Sequence, residues 1–258
     1  MRFTVYLLVM SLWLTPVAVL GAMEMSMGEA INKAGRQRML TQRIVKAYCQ
    51  MGQDVRFLVA RDQLRQSVTL FQAQLEQLKS FTEHGDVQAA LGQVDRLWRP
   101  VKAIVDADVI KGRAEPLRAH AEALLAASHR VVVLLEESFE RSEGHLVNIS
   151  GRQRMLTQRL GNLYMLLSWG FEKPEYRADY EQALGEFQDA MRELLAAPQN
   201  TREIAEGLRQ VSRKWELFRM SDQMGDKVYV PGLVIRMLDS ILEQMNDITG
   251  MYAKLAEQ

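Results

Sequence analysis

The chain has a single cysteine, six prolines and 7% aromatic residues, and its 32 basic residues are balanced by 32 acidic ones. Each scarcity removes a class of protein. One cysteine, Cys49, cannot close an intrachain disulfide and reads as a small core residue. Few prolines and aromatics argue against a sandwich or barrel, while the abundant Leu, Ala, Gln, Glu, Arg and Met favour helix. Zero formal charge offers no broad basic surface for nucleic acid.

Catalytic and metal-binding signatures are missing too. His84, His120, His129 and His145 lack metal-ligand spacing, and no haem-attachment motif, glycine-rich phosphate loop or nucleophile elbow occurs. Of fifteen methionines only Met23, Met25 and Met27 lie close together, and the rest scatter as core residues would. The expectation is a non-enzyme without metal or cofactor.

The one long apolar run lies at the start. Arg2 is the only charge before Glu24, Phe3 to Leu20 is almost wholly apolar, and Val19, Gly21 and Ala22 suit signal-peptidase cleavage. Residues 1–22 therefore read as a signal peptide, with an uncleaved anchor as the alternative. The expected location is the periplasm.

What the sequence does hold is a duplication. Residues 31–48 read INKAGRQRMLTQRIVKAY and residues 147–164 read VNISGRQRMLTQRLGNLY, so the string from Gly35 to Arg43 returns unchanged as Gly151 to Arg159. Tyr48 maps onto Tyr164, and Phe71-Gln72 onto Phe187-Gln188. Val94, Arg96 and Trp98 match Val211, Arg213 and Trp215 after a one-residue shift. Each copy carries four stretches with apolar residues at three- and four-residue spacing. Glycine and proline breaks predict helices at 27–52, 55–81, 86–110 and 115–142, then at 143–170, 175–197, 200–224 and 231–257. The fold class is all-α: two tandem up-down four-helix bundles, 23–142 and 143–258. From Pro116 to Trp169 there is no proline. That favours one long connecting helix stacking the bundles end to end, over a turn at Ser142 to His145 that sets them side by side.

The repeated helix carries the candidate chemistry. On a helical wheel Ala34, Gly35, Arg38, Gln42, Val45 and Cys49 fall within about 60° of Ile31. Val147, Ser150, Gly151, Arg154, Gln158 and Gly161 repeat the stripe. A guanidinium on such a stripe is costly to bury alone. It requires either a carboxylate from a neighbouring helix, fixing register, or a bound anion, and its planar donors suit a flat oxyanion. The residues themselves leave both readings open. Arg36 and Arg43 lie on another face, suited to bundle carboxylates or solvent.

INKAGRQRMLTQR and VNISGRQRMLTQR resemble the signature helix of the PilJ-type sensory domain of type IV pilus methyl-accepting transducers, a relative of the NarX-type nitrate sensor domain. The resemblance implies a four-helix bundle that dimerises along its first helix and holds nitrate or nitrite between paired arginines. Those positions are Arg38 and Arg154, with Gly35, Gly151, Ala34 and Ser150 as the small residues permitting close approach. Gln42 and Gln158 stand where the nitrate sensors carry tyrosine, and Gln37 and Gln153 where they carry an apolar residue, which fits the pilus-transducer branch better. The implied partners are a small anion, a membrane receptor or kinase, and a second copy of the chain along the motif helices, with no nucleic acid. A ligand-free accessory to a pilus or chemosensory transducer is the competing expectation.

Overall fold

Helix-forming composition and well-placed caps yield eight α-helices and one short 3-10 turn, in a computed structural model that describes residues 25–81, 83–138, 142–223 and 229–256. The apolar segment 1–22 lies outside the described residues. The helices are α1 (Met27–Gly52), α2 (Phe57–Phe81), α3 (Gly85–Val105), α4 (Ala114–Glu137), α5 (Ser142–Ser168), α6 (Pro174–Ala196), α7 (Arg202–Gln223) and α8 (Pro231–Leu255). Ser26 starts α1 by accepting from the Glu29 amide at 3.1 Å. Pro174 and Pro231 open α6 and α8, where a missing N–H costs nothing.

In the first copy α1 packs on α2 and α4, and α3 on α4 and more lightly on α2; α5 to α8 repeat the scheme. Matching residues build matching joints. Phe71 stacks on Trp98 with centroids 4.3 Å apart, and Phe187 on Trp215 at 3.9 Å. The Tyr48 hydroxyl accepts from the Ile110 amide at 3.0 Å, and Tyr164 accepts from that of Val230 at 2.9 Å. Each tyrosine thus pins the loop before its copy's last helix. That tether helps explain why α3 stops at Val105 rather than near residue 110.

The long connecting helix is not formed. α4 ends at Glu137, α5 begins at Ser142, and the most extensive helix contact in the chain joins α1 to α5. The physical reason lies in the motif stripes. Ile31, Ala34, Val45 and Cys49 on α1, like Val147 and Gly161 on α5, are buried, and each motif helix packs on the other as well as on its own copy. An end-to-end stack would give up the α1–α5 contact and the apolar burial it brings. The pairing is parallel and in register: Gly35 lies beside Gly151, and towards the other end Gln53 donates to the Met165 carbonyl at 2.8 Å. The seam that the resemblance assigns to two chains is made within one.

Candidate functional site

Close approach begins with glycine. A Cβ built on Gly35 would stand 3.4 Å from Arg38 Nη2 and 3.5 Å from Arg154 Nη2; one on Gly151 would meet the same two atoms at 3.5 and 3.3 Å. Both guanidinium groups therefore face one small space that exists because neither helix has a side chain there.

The arginines cross the seam in opposite directions. Arg38 Nη2 donates to the Asn148 carbonyl and Arg154 Nη2 to the Asn32 carbonyl, both at 3.2 Å. Asn32 and Asn148 recur at the same spacing as the motif itself. Arg38 is 2% exposed and Arg154 not at all. Among the described residues neither forms an ion pair, and Nε of both, with Nη1 of Arg154, meets no acceptor. Buried cations with unused donors are expensive. Burial first, then Arg152, pull the Arg38 pKa down to about 10, with Glu136 opposing. Burial, then Arg36 and Arg38, push that of Arg154 well below its ordinary value.

The two ends of the pair differ. Arg38 Nη1 lies 3.1 Å from Nδ1 of His129, which is exposed on α4. Counted by the shift that aligns Trp98 with Trp215, the second copy has Asn246 at this place, and its Oδ1 is buried without a partner. Arg38 also borders a cleft of about 370 Å³ lined by His129, His145, Asn148 and Arg152, with acidic residues of α6 on its far wall. Arg154 does not border it.

Of the other candidate residues, Ala34 and Ser150 are fully buried in the seam, and the Ser150 hydroxyl donates to the Val147 carbonyl at 3.1 Å. Gln42 is drawn into a polar layer: it donates to Glu122 at 3.2 Å and accepts from Asn162 at 2.5 Å. Arg118 extends that layer to Asn162, Glu122 and Asp179. Gln158 is equally buried, yet among the described residues both its amide atoms lack a partner. Neither glutamine makes a hydrogen bond to the arginine pair. Gln37 and Gln153 do structural work, donating to the carbonyls of Phe71 and Phe187 at 3.3 and 2.9 Å.

Sequence reasoning missed His129, because nothing in its own helix marks it. It also missed Lys46, which is fully buried although its counterpart is Asn162. Asn32 and Asn148 were legible as a repeat, but their contribution is a main-chain carbonyl, which no side-chain pattern reveals.

The family model of the type IV pili methyl-accepting chemotaxis transducer N-terminal domain, PilJ, matches residues 22–125 and 138–223. No curated protein and no solved structure matches the chain. The two matched segments contain the two motif helices and cover most of the sequence. The chain belongs to the PilJ family of sensory, signal-transducing domains and carries the domain as two tandem copies.

Proposed function

We propose that the protein is a periplasmic sensory module that binds one small planar oxyanion between Arg38 and Arg154, with nitrate and nitrite as leading candidates and small carboxylates next. The observation that carries this reading is the set of buried guanidinium N–H donors without an acceptor, on two cations that no carboxylate pairs among the described residues. An anion in the space between Gly35 and Gly151 would meet Nη2 of both arginines, each of which has a second N–H beyond its bond to an asparagine carbonyl, and would offset their mutual repulsion. Binding there would act directly on the α1–α5 seam, the contact that sets how the two copies sit. The role is recognition, not catalysis. The apolar segment 1–22 supports export, and among the described residues no helix is long and apolar enough to cross a membrane.

Thermal unfolding in graded nitrate, nitrite and acetate tests the reading. Free anion at a hundredfold excess over Kd should stabilise the native state by about 2.7 kcal/mol. The Arg38→Ala/Arg154→Ala variant should lose that response. Its melting temperature without anion combines relief of two unpaired buried charges with the cavity left by two large buried side chains, so the readout is the lost response to anion. An unmoved parent melting curve with all three anions would defeat the proposal.

One feature favours the accessory-protein reading. Leu217, Met220 and Leu233 are exposed on α7 and α8, and Leu217 and Leu233 line an apolar groove with Met237. Pull-down of a membrane transducer together with a flat anion response would favour it.

A further inference from the structure

We propose that His129 is a third ligand to the anion and that it takes up a proton as the anion binds. The inference rests on the oxyanion reading above and concerns the regulation of the same site. Arginine only donates, so the contact between Arg38 Nη1 and His129 Nδ1 at 3.1 Å requires Nδ1 to be a lone pair. In the anion-free protein the imidazole is therefore neutral, with its proton on Nε2, and it fills in for the missing acceptor. An oxyanion that engages Arg38 Nη1 takes over this role. Nδ1 then faces a negative oxygen instead of a cation, and a proton on Nδ1 changes it from acceptor to donor towards that oxygen.

The surroundings give the sign. Burial, Arg38 and Arg152 hold the His129 pKa below its ordinary value, with Glu136 opposing. Arg38 comes from α1, Glu136 from its own helix, and Arg152 and His145 from α5; Glu186, Asp189 and Glu193 line the same cleft from α6. An anion on Arg38 cancels the first of these positive charges and adds a negative one close to the ring. The His129 pKa rises on binding, and by linkage anion affinity rises as pH falls through the interval between the free and bound values. Exposure of the ring lets the proton come from solvent. Asn246, which aligns with His129 in the second copy, has no titrating group, so the site has one titrating end.

The test is calorimetric titration of the full chain with sodium nitrate from pH 5.5 to 8, in two buffers of different ionisation enthalpy. The parent should bind about tenfold more weakly at pH 8 than at pH 5.5, with buffer-dependent heats that report proton uptake. His129→Asn, which copies the second unit, and His129→Gln should both bind with nearly flat pH dependence and no uptake. His145→Gln should keep the parent's uptake, which separates His129 from its titrating neighbour. Binding that is unaffected by pH in the parent, or equally pH-dependent in both His129 variants, overturns the proton coupling and leaves the oxyanion reading in place. No heat in the parent at any pH overturns both.

Discussion

Lys46 Nζ on α1 lies 2.5 Å from Asp239 Oδ1 on α8, a buried ion pair that ties one copy of the domain to the other. Its two halves are not equivalent. Asp239 also accepts from Gln63 at 3.2 Å and has Arg56 at 3.6 Å, whereas Lys46 is fully buried and donates to Asp239 alone. Burial pushes the Asp239 carboxyl up, but Lys46, Gln63 and Arg43 outweigh it and hold it below the usual range.

Asp239→Asn should therefore cost about 3–5 kcal/mol, because it strands a buried ammonium. Lys46→Met should cost less, since the carboxylate keeps two partners. Urea unfolding of both variants checks the order. A depressed carboxyl stabilises above its ordinary pKa and loses that contribution as pH falls through the folded value. The difference between parent and Asp239→Asn should accordingly shrink in acid below the normal carboxylate range.

Gly35→Ala and Gly151→Ala, each alone, separate folding from binding. A methyl at either place sits 3.3–3.5 Å from the tips of flexible arginine side chains, so the helices should survive, and alanine favours helix by about 1 kcal/mol over glycine. The same methyl occupies the space proposed for the anion. Expected are melting temperatures near or above the parent's and nitrate affinity lower by about tenfold or more, read by calorimetry. A substituted protein that binds nitrate as the parent does would place the anion elsewhere.

His145 joins three helices, with Nδ1 2.9 Å from Glu136 on α4 and Nε2 3.0 Å from Glu193 on α6. Burial acts to lower its pKa, but the two glutamates outweigh it and raise the value. A raised folded pKa stabilises fully below the ordinary histidine value and ceases to help as pH climbs through the folded one. The parent should melt above His145→Gln at pH 5.5, with the gap closing by pH 9. The effect should be small, because the ring is more than half exposed and the pair is screened.

Much of the fold was legible because helix periodicity and breakers act locally. All eight predicted helix starts fall within two residues of the observed ones; α2 begins two residues late because Asp54 and Arg56, both at positive φ, first turn the chain. The link between copies was not legible. A proline-free stretch permits a continuous helix, but nothing local counts the apolar surface that such a helix would leave uncovered on α1 and α5.

The duplicated string alone determined that there would be two equivalent arginines on two small-residue stripes, and it determined the family. Only the tertiary structure decided that they meet. Packing α1 against α5 in parallel brings Arg38 and Arg154 to one space, gives the first a histidine and a cleft, and seals the second. Identical residues acquire different surroundings because α4 and α8, which pack beside them, have diverged where the motif has not.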